Sequence, residues 1–94
     1  MAKYRNKTVD VVIDVRSHIE YWLGHLPGAK CIPVGSIEHG ITQHPEITTD
    51  SNILVYCASG ARSASAVSTL RGLGYRRVVD AGGYADARQH FDAS

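Results

Sequence analysis

Cys57 is followed by four small residues, Ala58, Ser59, Gly60 and Ala61, and then by Arg62 and Ser63. A cysteine in that company can act as a nucleophile if its thiol ionises. Small side chains let successive backbone N–H groups turn inward and form an anion-binding nest around the sulfur. A helix is expected to begin near Ser63, and its positive end then points at the same place. Arg62 adds a charge that ordinary pH cannot remove. Together these features are expected to lower the thiol pKa from its free value of about 8.5. The plainer alternative makes Cys57 a small strand-end hydrophobe and Arg62 a surface cation. The succession of strand, small-residue loop, arginine and helix favours the chemical reading.

The flanking elements must hold that loop. Ile53 to Cys57 reads as a buried strand, and Ser63 to Leu73 as a helix with Ala66, Val67, Leu70 and Leu73 on one stripe. The loop therefore leaves the carboxyl end of a strand, where open α/β sheets place their ligands. Val9 to Val15 is dense in β-branched residues and suits a strand covered on both faces. Ser17 can cap a following helix, with Glu20 as its capping-box partner and Ile19, Trp22 and Leu23 as an apolar face. Ala29 to Val34 and Arg77 to Asp80 are further strand candidates, and Tyr84 to Phe91 is a last helix. The stretch from Gly35 to Asn52 has Ile37 and Ile41 four apart, which allows a short helix limited by Gly40 and Pro45. Strands alternating with helices predict an α/β fold: a mainly parallel sheet of four to five strands flanked by helices.

Composition narrows the function classes. Ninety-four residues, 44% of them hydrophobic and 20% charged, suit one globular domain over residues 1–94. The formal net charge of +1 gives no field to hold nucleic acid or an acidic membrane. Two cysteines are too few for a disulfide framework. Asp10, Asp14 and Arg16 interrupt the first apolar stretch, so no signal peptide is expected. No run approaches the roughly 20 apolar residues of a membrane span. A reducing cytoplasm is the expected compartment.

Four segments, in order, resemble the rhodanese family of sulfurtransferases over roughly residues 10–88. Cys57-Ala58-Ser59-Gly60-Ala61-Arg62-Ser63 is similar to its active-site loop. Asp14-Val15-Arg16 resembles its early Asp-x-Arg, and Gly24-His25-Leu26-Pro27-Gly28-Ala29 its Gly-His-Ile-Pro-Gly-Ala signature, with Ile32-Pro33 at the usual distance. Val79-Asp80-Ala81-Gly82-Gly83 resembles its late strand and double glycine. The resemblance implies a rhodanese-like fold in which Cys57 takes a sulfane sulfur from a donor such as thiosulfate. The resulting persulfide passes to cyanide or a thiol acceptor, with no cofactor and no metal. The backbone from Ala58 through Arg62 would hold the bound sulfur, and Arg62 would aid donor binding or stiffen the loop. The four residues between Cys57 and Arg62 favour one sulfur atom over phosphate, because phosphatases and arsenate reductases resembling this fold have five. A second reading from the same loop is a persulfide carrier or regulatory module that works with a protein partner and has little thiosulfate activity.

The sequence departs from the family in two places. Only about ten residues precede the Asp-x-Arg strand, where the family has a further short strand and helix, and Ala87 stands where a Trp is usual. Asp14 and Arg16 are expected to form a structural ion pair, and His25 to satisfy backbone in its turn. His18, His39, His44 and His90 lack metal-ligand spacing. Cys31 allows a redox relay with Cys57, but without a Cys-x-x-Cys spacing it is expected to pack as a small hydrophobe.

Overall fold

A computed structural model describes residues 1–94. The chain runs through β1 (Lys3–Tyr4), β2 (Lys7–Thr8), β3 (Val11–Asp14), α1 (His18–Leu23), β4 (Lys30–Cys31), α2 (Ile37–Gly40), β5 (Ile53–Cys57), α3 (Ala61–Gly72), β6 (Val78–Gly83), α4 (Tyr84–His90) and β7 (Phe91–Asp92). Short 3₁₀ turns at Val34–Ser36 and Ile41–Gln43 flank α2. Strands β4, β3, β5 and β6 lie side by side in that order, all parallel. This is the expected α/β architecture, with four strands in the parallel sheet. No helix is long and apolar enough to cross a membrane.

Period-two alternation on β5 divides the interior into two cores. Ile53, Val55 and Cys57 join Ile13, Val15, Ile37, Ile41, Ala66, Val67 and Leu70 on the face covered by α2 and α3. Leu54 and Tyr56 join Tyr4, Val12, Leu26, Ala81 and Ala87 on the face covered by α4 and the amino-terminal hairpin. All five residues of β5 are buried, as a central parallel strand requires.

Several boundaries differ from the sequence reading. The strand expected over Ala29–Val34 keeps regular pairing only at Lys30–Cys31, although the Ile32 and Val34 amides still donate to Asp14 and Val15 carbonyls. Pro33, which has no N–H, stands between them. Helix α3 begins at Ala61, two residues before the expected start, because Gly60 supplies its cap at φ +107°. Strand β6 runs on through Gly82 and Gly83 instead of stopping before them. A bulge leaves Ala81 without an opposite residue, since Asp80 pairs with Val55 and Gly82 with Tyr56.

The hairpin of β1 and β2 was not legible in its polar sequence. Arg5 and Asn6 both have positive φ, at 49° and 68°, as a two-residue hairpin turn demands. The hairpin pairs with β7 in a small antiparallel sheet. Helix α1 carries the expected capping box, with Ser17 Oγ accepting from the Glu20 amide and Glu20 Oε1 accepting from the Ser17 amide. Its apolar face, however, does not enter the core. Tyr21 packs inward and its hydroxyl donates to the Ala29 carbonyl at 2.7 Å, whereas Ile19, Trp22 and Leu23 face solvent.

Candidate active site

Strand β5 ends at Cys57, and the chain turns at once into α3. The cysteine lies on the face packed against α3, buried and unpaired. Ala58 and Ser59 are exposed above it. The Gly60 amide donates to Cys57 Sγ at 2.9 Å. Ser63 is fully buried beneath the turn, and its hydroxyl donates to the Gly60 carbonyl at 3.0 Å. That carbonyl also accepts the Ala64 amide, so it begins the helix while Ser63 fixes its direction.

Burial pushes the Cys57 thiol pKa up, but the polar groups of the turn, Ser63 first and then the amides of Gly60 and Ser59, outweigh it and bring the pKa below its ordinary value. The loop thus stabilises a thiolate with its own backbone and one serine. Arg62 attracts the thiolate, as expected, but its hydrogen bonds go elsewhere. Its guanidinium grips Glu20 on α1 through two hydrogen bonds, of 2.7 and 3.0 Å. Its hydrogen bond to Glu20 is the main influence on its own pKa, and the thiolate is a weaker one. The same arginine, helped by the Ser17 amide, holds the Glu20 carboxyl down to about 2. Arg62 therefore ties the loop to α1.

Two glycines back the loop. A Cβ on Gly83 would lie 2.7 Å from the Ala58 carbonyl oxygen, so β6 passes the loop at a distance only glycine allows. Gly82, with φ +73°, faces Gly60 across the same gap, and its amide donates to Asp80 Oδ1 at 2.8 Å. The sequence reading placed these glycines at a strand end and missed their part in supporting the loop. The extended β6 is what brings them there.

Asp14 and Arg16 do not reach the sulfur. Arg16 binds the Asp14 carboxylate through its side chain, at 2.7 to 3.1 Å, and through its backbone amide. The Nη2 that binds Asp14 also donates to the Gly24 carbonyl. The Tyr56 hydroxyl donates to Asp14 at 2.7 Å and accepts the Leu26 amide at 3.0 Å. Burial is the main reason that Tyr56 ionises far above its ordinary range. This network fixes the strand ends and the Gly24-to-Ala29 turn. His25 stacks on Tyr21 with centroids 3.7 Å apart, and its Nδ1 lies 2.8 Å from the Tyr21 carbonyl.

Asp14 faces Cys31 on one side and Tyr56, next to Cys57, on the other. The two cysteine-bearing strands are thus two strand spacings apart, about 10 Å. Disulfides need Cα atoms within about 7 Å. Burial leaves the Cys31 thiol pKa raised, whereas at Cys57 the polar groups of the turn overcome burial.

The comparisons with known proteins agree with this geometry. The family model described as "Rhodanese-like domain" matches residues 1–89. A rhodanese from E. coli, solved with anions, superposes with a TM-score of 0.77 at 30% identity, covering 89% of this chain and 98% of that one. A sulfurtransferase from Allochromatium vinosum is 35% identical over 74 residues, covering 78% of this chain and 66% of its own length. YrkF of Bacillus subtilis, a candidate sulfur carrier by name, is 33% identical over 69 residues, covering 73% of this chain and 36% of its own. This chain thus spans only part of the length of both curated relatives. By the family match, the fold and the Cys57 loop together, the chain belongs to the rhodanese-like domain family of sulfurtransferases and sulfur carriers.

Proposed function

We propose that this protein moves a sulfane sulfur through a persulfide on Cys57. The observation that carries the reading is the Gly60 amide, directed at Cys57 Sγ from 2.9 Å in a loop of small residues. The thiolate attacks the outer sulfur of a donor such as thiosulfate. A new S–S bond forms at Cys57, the donor's S–S bond breaks, and sulfite leaves with the electron pair. Cyanide or an acceptor thiolate then attacks the outer sulfur of the persulfide. Cys57 departs as a thiolate, and thiocyanate or a new persulfide is the product. The loop amides offset the negative charge at each stage, and Ser63 keeps the turn in place.

The protein-partner reading has one observation in its favour. Arg62 is engaged by Glu20, so its charge is partly neutralised before a small dianion arrives. Intact-mass measurement tests both readings. Thiosulfate is expected to add about 32 Da, one sulfur atom, to the wild type and nothing to Cys57→Ser. An unchanged wild-type mass after thiosulfate, with a gain from a persulfidated protein donor, supports the carrier. Sulfur loading in Cys57→Ser would refute the role of this residue.

A further inference from the structure

Arg62 is the one permanently charged side chain between Cys57 and Ser63. An anionic sulfur donor reaching this loop meets the Cys57 thiolate, so its approach is opposed by like charge. Thiosulfate carries two negative charges. An organic thiosulfonate offers the same outer sulfur on the same kind of S–S bond and carries one. The opposition therefore differs between them by one unit of charge, and the charge that Arg62 offers in return decides how much that difference matters.

Glu20 reduces that offer. Its Oε1 accepts from Arg62 Nη1 at 2.7 Å and its Oε2 from Nη2 at 3.0 Å. A two-point pair of this kind cancels the net charge of the guanidinium but leaves its Nε–H able to bind a donor oxygen. The carboxylate is also fixed from its own helix, because the Ser17 amide and hydroxyl each donate to Oε1 at 3.0 Å. Arg16 is the other cation that acts on Arg62, but it is buried and bound to Asp14, so it does not replace the cancelled charge. A donor thus finds hydrogen-bond donors at Arg62 without the attraction of a free cation.

We propose that Glu20, acting through Arg62, sets the donor charge this loop accepts, turning it away from dianions such as thiosulfate and toward sulfane donors with a single negative charge, such as organic thiosulfonates and persulfides. The proposal rests on the persulfide reading of Cys57. With a thiosulfonate, the Cys57 thiolate attacks the outer sulfur and a new S–S bond forms. The donor's S–S bond breaks, and a sulfinate leaves with the electron pair. The loaded Cys57 is the same persulfide that thiosulfate would give.

Thiosulfate and methanethiosulfonate serve as the paired probes, with thiocyanate formation at saturating cyanide as the readout. Their leaving groups differ, so the diagnostic quantity is the change in their kcat/KM ratio between variants. Glu20→Gln removes the charge and keeps an acceptor for the helix cap. It is expected to raise kcat/KM for thiosulfate about fivefold relative to methanethiosulfonate, through KM rather than kcat. Raising the salt to about 0.5 M should shrink that gain to less than about twofold. Glu20→Asp retains the charge and should keep the wild-type ratio within about twofold. Loading of Glu20→Gln by methanethiosulfonate, read by intact mass, shows that the variant is folded and competent. An unchanged ratio in Glu20→Gln, an equal fall for both donors, or a fall for thiosulfate alone would overturn the proposal and leave Glu20 a brace for the loop. A wild type that takes sulfur from neither probe nor from a persulfidated protein would instead overturn the persulfide reading itself.

Discussion

Glu20 has two jobs at the residue scale. It completes the capping box with Ser17, and it holds Arg62 beside the loop. Its carboxyl pKa is depressed from 4.5 to about 2, chiefly by Arg62 and then by the Ser17 amide. A group whose pKa is lower in the folded state stabilises the fold above its unfolded pKa. The contribution is complete above about 4.5 and is lost as pH falls toward about 2. Both side chains are about a third exposed, at 37% and 33%, so solvent limits the effect. The gain should stay within about 1 kcal/mol. Glu20→Gln can still cap the helix but carries no charge. Its thermal midpoint should lie below wild type at neutral pH and converge with it as pH drops through that window. A difference that persists at the acid end would show that charge is not the cause. The capping role of Glu20 was legible in Ser17 and the three-residue spacing. The Arg62 partnership was not, because it joins residues 42 apart in sequence.

At the scale of elements, β6 and the Cys57 loop depend on each other. Gly83 has an ordinary φ of −80°, so its requirement is space rather than backbone freedom. Alanine there would drive a Cβ to within 2.7 Å of the Ala58 carbonyl oxygen, a backbone atom that cannot swing aside. Gly83→Ala should cost roughly 1–3 kcal/mol and displace the loop. Thiosulfate loading of Cys57, read by intact mass, should fall by at least about tenfold, in line with lost positioning. Gly72, near the end of α3, has open space around its Cβ position. Gly72→Ala should be neutral or stabilise by up to about 1 kcal/mol. A normally loading Gly83→Ala protein would remove β6 from the support of the loop. The double glycine could be read from the sequence, but its neighbour could not. The bulge at Ala81 and the onward run of β6 decide what Gly83 faces.

For the whole molecule, the Asp14–Arg16–Tyr56 network joins the two central strands and the turn that follows α1. Tyr56 is fully buried on the α4 face, one residue before Cys57 on the α3 face. Tyr56→Phe removes a donor to Asp14 and leaves the Leu26 amide without its acceptor. The loss should be about 1–3 kcal/mol by denaturant unfolding, because the orphaned groups stay buried. A variant as stable as wild type would mean that water or another side chain takes over both bonds. Sequence alone determined the parallel α/β order, the β5 strand, the capping box and the small-residue loop after Cys57. Each of these is local: apolar runs, helix caps and small residues act on their near neighbours in the chain. Tertiary structure decided where Arg62 puts its charge and which side of α1 stays wet. It also set which glycine lies against the loop. Those outcomes depend on which surfaces meet once distant segments pack, and the spacing of residues along one segment carries no record of that.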